Sequence, residues 1–167
     1  MSEIVNRVAQ SNIITLHLED FYPKEERVII DIKDQLWQGF ALKEKNFREF
    51  IDTHNWPQYQ NKLVAVHCSA DAIVPTWAYM LVAAALQPFA KEIFFGNAEM
   101  LEIFLFNKAL QQLNVEEFKD TKVVVKGCGN KPIPASAYLQ ITALLRPLVK
   151  SIMFGEACST VPVYKKK

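Results

Sequence analysis

Pro75-Thr-Trp-Ala-Tyr-Met-Leu-Val-Ala-Ala-Ala-Leu-Gln-Pro-Phe-Ala-Lys-Glu-Ile-Phe-Phe-Gly96 is written a second time further along the chain. It returns as Pro134-Ala-Ser-Ala-Tyr-Leu-Gln-Ile-Thr-Ala-Leu-Leu-Arg-Pro-Leu-Val-Lys-Ser-Ile-Met-Phe-Gly155. The match is gapless, and 10 of 22 positions are identical, where chance gives about one or two. Each copy is preceded by an apolar run, Lys62-Leu-Val-Ala-Val-His-Cys68 and Lys122-Val-Val-Val-Lys-Gly-Cys128, the second followed by a loop one residue shorter. The runs read as strands, and Pro75 and Pro134 sit where proline is favoured, in the first turn of a helix. Ala78, Val82, Ala85, Leu86 and Phe89 form one apolar stripe; Ala137, Ile141, Leu144, Leu145 and Leu148 form its twin. Pro88 and Pro147 stop the helices, and a strand follows each. Two β-α-β units are therefore expected, Lys62–Gly96 and Lys122–Gly155.

An apolar-rich helix over 98–113 joins them. Upstream, Asn12–Leu18 and Arg27–Ile32 are β-branched runs that read as strands, expected to add to one edge of the sheet. Phe21–Glu26 reads as a charged turn. Asp34–Phe40 reads as a loop or a third strand. Lys43–His54 carries Phe47, Phe50 and Ile51 at helical spacing, with Trp56-Pro57 ending it. Ser2–Gln10 reads as a short helix, with Ser2 as cap and Ile4, Val5 and Val8 on one side. Strands alternating with helices give an α/β fold with a mixed, mostly parallel sheet and right-handed crossovers. No linker or low-complexity tract interrupts it, so 1–167 reads as a single domain: 1–61 the N-terminal strands and helix, 62–167 the tandem repeats.

Half of the 167 residues are apolar, 22% are charged and the net charge is +1. That balance suits a globular domain with a sizeable core and gives no basic field for nucleic acid. No apolar run suggests a membrane span or an export signal, and three cysteines without such a signal read as reduced thiols, so a cytoplasmic protein is expected. The terminal Tyr164-Lys-Lys-Lys167 reads as a frayed, solvated end.

Ligands bind open α/β sheets at the carboxyl ends of the strands, where helix N-termini also point. Cys68 follows the first repeat strand, Cys128 takes the matching place in the second, and Cys158 lies three residues past Gly155. His67 adjoins Cys68, while Asp71 and Glu156 lie in the same loops. Three readings stay open: thiolate and imidazole ligands for zinc, iron or a transient iron–sulfur cluster; a reactive thiol at Cys68 or Cys128; or small semi-buried residues at strand ends. In the first, Cys68, Cys128 and Cys158 are the ligands, His67 the fourth, with Asp71, Glu156, Tyr79 and Tyr138 behind them. His17 and His54 read as structural. Lys91 and Lys150, at the strand starts, read as solvated. No Walker, dinucleotide, nucleophile-elbow or His-Glu-x-x-His motif occurs, so no reaction is assigned.

His67-Cys-Ser-Ala-Asp-Ala-Ile-Val-Pro-Thr-Trp-Ala-Tyr79, Val123-Val-Val-Lys-Gly-Cys128 and Ser151-Ile-Met-Phe-Gly-Glu-Ala-Cys-Ser-Thr-Val-Pro162 resemble an uncharacterised bacterial family. Asp20-Phe-Tyr-Pro23 and Leu36-Trp-Gln-Gly-Phe40 resemble it too, so the similarity covers nearly the whole chain. Its members tend to be encoded near genes for iron–sulfur cluster assembly. The family carries no established activity, but that neighbourhood adds to the thiol reading above, and the two together give the expectation of an accessory factor in iron–sulfur cluster assembly or metal handling, with iron–sulfur assembly proteins as partners. The alternative is a non-catalytic module recognising a small anion or a protein partner at the same edge.

Overall fold

A computed structural model describes residues 5–7, 12–127, 129–156 and 159–167. In chain order these form β1 (Val5–Arg7), β2 (Ile13–His17), β3 (Arg27–Asp31), α1 (Glu44–Thr53), β4 (Leu63–His67), α2 (Thr76–Leu86), β5 (Glu92–Phe95) and α3 (Ala98–Gln111). There follow β6 (Lys122–Lys126), α4 (Ala135–Leu145), β7 (Ser151–Glu156) and β8 (Ser159–Lys165). The fold is mixed α/β with mostly parallel strands, as the alternation of strand and helix requires.

The strands divide between two sheets rather than one. The first, in the order β3-β4-β5, is parallel throughout. The second runs β1-β2-β6-β7-β8, with β2, β6 and β7 parallel and the outer two strands antiparallel. Contacts group the chain into a continuous unit, Lys24–Leu101, and a split unit, Met1–Pro23 with Glu102–Lys167. The two upstream strands thus do not share an edge. β3 pairs with β4, while β2 crosses the whole continuous unit in sequence to pair with β6.

The repeat is longer than its identities suggest. Leu63 of β4 pairs with Arg27 and Glu92; Lys122 of β6 pairs with Ile13 and Ser151. The offset between the units is therefore 59 in β4/β6 (122 − 63) and β5/β7 (151 − 92), and 14 in β2/β3 (27 − 13). The same 59 relates Phe47 to Phe106, both fully buried, and Tyr59 to Phe118, both in the core. Asn61 and Asp120, at the entry to β4 and β6, share a left-handed φ of 58°, a conformation that Asn and Asp tolerate better than most residues. Their backbone N–H groups donate to Phe89 and Leu148 carbonyls, again equivalents, at 2.9 Å each.

Burial explains why these residues hold the fold. Leu63–Val66 and Val123–Val125 are buried runs, as expected for central strands covered on both faces. Ala78, Val82 and Leu86 of α2 pack with Val64, Val66, Ile30, Ile32 and Phe47; Ala137, Ile141 and Leu145 of α4 pack with Val123, Val125, Leu16, Leu18 and Phe106. Pro75 and Pro134 are the helix caps, and Gln87 and Arg146 close the ends just before Pro88 and Pro147.

Three local expectations change. Val5–Arg7 is a strand paired with Arg7↔Ile14 through Val5↔Leu16, not helix; the remainder of Ser2–Gln10 lies outside the described residues. Apolar residues in so short a run fit either period, and the edge of β2 decides it. Asp34–Phe40 is neither plain loop nor strand: a 3₁₀ turn covers Ile32–Gln35, and Trp37 and Ala41 bridge a tight turn through Gln38 (φ 51°) and Gly39 (φ 76°). The C-terminus is not frayed. β8 lies along β7, Tyr164 packs on the core under the Arg146 guanidinium, and Lys166 N–H donates to Lys150 O at 2.8 Å. No helix among the described residues is long and apolar enough to cross a membrane.

Leu86 and Leu145 are fully buried equivalents. Leu86→Ala and Leu145→Ala should each lower unfolding stability by about 2–5 kcal/mol in urea titrations. A near-neutral result for either would contradict the packing of that helix.

Candidate functional site

Both sheets present chemistry at the carboxyl ends of their parallel strands, but of different kinds. In the continuous unit, Asp31 ends β3 and His67, its register partner, ends β4. Asp31 Oδ1 accepts the Ser69 N–H (3.1 Å) and the Lys33 N–H (3.0 Å), and Oδ2 accepts the Ser69 Oγ–H (2.5 Å). His67 Nε2 stands 3.8 Å from Asp31 Oδ2. Burial works against the Asp31 charge, but the two Ser69 hydrogen bonds, the Lys33 N–H and His67 together outweigh it and lower the carboxyl to about 2. Asp31 thereby ties the loop after β4 to the end of β3.

Cys68 is half-buried, free, and directs its Sγ–H to Ala70 O at 3.7 Å. Tyr79 packs edge-on against Phe95 at 5.1 Å; burial first, then the neighbouring Cys68 and Asp31 charges, push its phenol upward. Asp71 is exposed in the loop. Of the expected thiolates only Cys68 is described, since Cys128 and Cys158 lie outside the described residues. Among the described residues, no three His, Cys, Asp or Glu side chains gather so as to hold a metal ion.

Strand register also revises the pairing of the cysteines. At an offset of 59 the counterpart of Cys68 is Gly127, and Cys128 corresponds to Ser69. The two loops are then equal in length; the shorter second loop followed from aligning cysteine with cysteine.

In the split unit the equivalent edge opens into a cavity of about 520 Å³. Its polar lining includes His17 at the end of β2, Glu19 just beyond, Lys126 at the end of β6, and Lys131 in the following loop. Ile133, Phe154 and Val163 contribute apolar wall, and Tyr138 and Thr142 line it from α4. Glu19 Oε2 accepts the Asn130 N–H at 2.9 Å, and its carboxylate lies where a Cβ on residue 129 would stand, so the loop needs Gly129 for that approach. Lys131 Nζ stands 5.3 Å from the Tyr22 ring centre, and Lys126 Nζ is 3.5 Å from Glu156 Oε2. Tyr138 meets Phe154 edge-on at 5.7 Å, repeating the Tyr79–Phe95 contact. The Phe154 ring leans against Gly127: a Cβ there would overlap the ring. Cys68 occupies that place in the other unit, and Phe95 is 65% exposed against 40% for Phe154.

A family model described as Protein of unknown function (DUF2480) matches residues 2–166. The chain belongs to that family. No curated protein and no solved structure matches it.

His17, Glu19, Lys126 and Lys131 went unnoticed as a group in the sequence, where His17 read as structural. The signal that could have found them is the 14-residue offset between the two upstream strands, which sets His17 level with Asp31. His54 keeps its structural reading: Nε2 meets the Tyr59 hydroxyl at 2.7 Å, and burial lowers the imidazole. Lys91 is not simply solvated but paired with Glu25.

Because the folded Asp31 carboxyl is lowered, its stabilisation is present above about pH 4, its unfolded range, and is lost as pH falls toward about 2. Asp31→Asn should lack this component. Urea unfolding across that window should show wild type losing stability more steeply than the variant; parallel curves would contradict the Ser69–Asp31 lock.

Proposed function

We propose that this chain is a binding module that takes a small organic anion into the cavity at the carboxyl ends of β2, β6 and β7. The observation that carries the reading is the cavity itself, with Lys126, Lys131 and His17 lining it beside an apolar wall of Ile133, Phe154 and Val163. Its volume lies in the ordinary range for small-molecule sites, and its lining combines apolar walls with a few polar groups, the usual recipe for orientation and affinity. Glu19 keeps its charge but is held by the Asn130 N–H, so the attraction for an anion comes from the Lys126 and Lys131 ammonium groups. Anionic groups with a compact apolar body, such as short or aromatic carboxylates and phosphate esters, suit that lining.

Calorimetry and thermal shift with inorganic phosphate, short-chain carboxylates and aromatic carboxylates test the reading. At least one carboxylate should raise the melting temperature. Lys126→Ala and Lys131→Ala should each weaken its binding about tenfold, or about 1.4 kcal/mol, without altering the melting of the free protein. No shift with any of these compounds, or binding retained in the double variant, would overturn it.

A second reading keeps the thiols: accessory metal handling or iron–sulfur cluster assembly through Cys68, Cys128 and Cys158, with iron–sulfur assembly proteins as partners. It is supported by the free Cys68 at the end of β4 and by the sequence places of the others, two residues past the ends of β6 and β7. The described residues do not themselves make up a ligand set, so no step is derived through a metal. Protein purified without oxygen should, on this reading, carry near-stoichiometric metal or acid-labile sulfide that disappears in the Cys68/Cys128/Cys158→Ser variant. Absence of both from the wild type would remove it.

A further inference from the structure

We infer that Glu156 is the cavity's own competitor: it occupies Lys126 when no ligand is bound and yields the ammonium to an incoming anion. The inference rests on the anion-binding reading above and adds to it a residue that sets the affinity.

Lys126 lines the cavity, whereas Glu156, at the end of β7, reaches it from outside the lining. Their 3.5 Å contact is loose, and the side chains are 31% and 44% exposed. Ion pairs so open to water hold little and exchange readily. Among the described residues Lys126 is the only hydrogen-bond or ion-pair partner of the Glu156 carboxylate.

The other unit shows what a permanent version looks like. There His67 stands where Lys126 does, and its carboxylate partner, Asp31, comes from the neighbouring strand on the other side. Asp31 is only 17% exposed and is bound by Ser69 through both N–H and Oγ–H, and by the Lys33 N–H. Nothing could displace it without breaking all of these. In the split unit the place of Asp31 is taken by His17, so the carboxylate has moved to β7.

The offset of 59 also shows what the position equivalent to 156 does in the other unit. Its counterpart is Asn97, whose Oδ1 accepts the Met100 N–H at 2.9 Å and caps α3. After β7 the chain turns into β8 instead of a helix, so Glu156 has no helix to cap. A carboxylate without a helix to cap stands beside the cation that the ligand needs. An anion on Lys126 then meets like charge from Glu156 unless the pair opens.

The test is a double-mutant cycle on wild type, Glu156→Gln, Lys126→Ala and Lys126→Ala/Glu156→Gln, titrated with inorganic phosphate and with whichever carboxylate binds wild type best. Glu156→Gln should bind about three- to tenfold tighter than wild type. The gain should vanish in the Lys126→Ala background, where the two variants bind alike. Equal or weaker binding by Glu156→Gln, beside a wild type that binds, would overturn this inference and leave the anion reading standing. The same gain with Lys126 absent would also overturn it, since the effect would then be general charge. A wild type that binds no anion overturns both.

Discussion

Each half of this protein depends on one central parallel strand whose partners on both sides are held in a fixed register. β4 and β6 are buried on both faces, so a slip of one residue would move Leu63–Val66 or Val123–Val125 against the wrong helix positions. The register is set at the amino edge by Asn61 and Asp120. Their left-handed turns and N–H bonds to the loop after the helix that follows each strand hold the strand entry in one phase. The equivalences of helix, core and carboxyl edge all follow from that phase.

Much of this was legible in sequence. Proline at both ends of each helix, the apolar stripes and the β-branched runs all act locally, and they place α2, α4, β4 to β7 and the fold class correctly. The division into two sheets was not legible, because it depends on which strand β2 and β3 each choose, and both are β-branched runs with equal claims. Nor was the full length of the repeat. Phe47 and Phe106 lie in helices whose other residues have diverged, and Tyr59 and Phe118 are alike in bulk but not in name.

The carboxyl edge was legible as a place and not as a site. Aligning the cysteines made the two loops look like one thiol-bearing motif. Register instead sets Cys68 against Gly127, and the change from a side chain to none accompanies the settling of Phe154 over the backbone and the open space beneath it. Lys126 and Lys131 share the end of β6 and its following loop, but His17 comes from β2, far upstream, so no spacing rule unites all three. The two halves share the Tyr–Phe contact and differ in almost everything polar around it: a bonded carboxylate in one, a loosely paired Lys126 in the other.

The pairing of β2 with β6 fixes an order of events during synthesis. Everything the continuous unit needs lies between Lys24 and Leu101, and its sheet can close as soon as β5 has left the ribosome. β2 is made before any of it and has no parallel partner until Lys122–Lys126 emerges, so its apolar Ile14 and Leu16 wait while an entire unit is made. The cavity, which takes His17 from that strand and Lys126 from its late partner, is among the last features of the chain to exist. A nascent chain stopped after α3 would own a finished sheet, a β1–β2 pair without its parallel neighbour and no cavity.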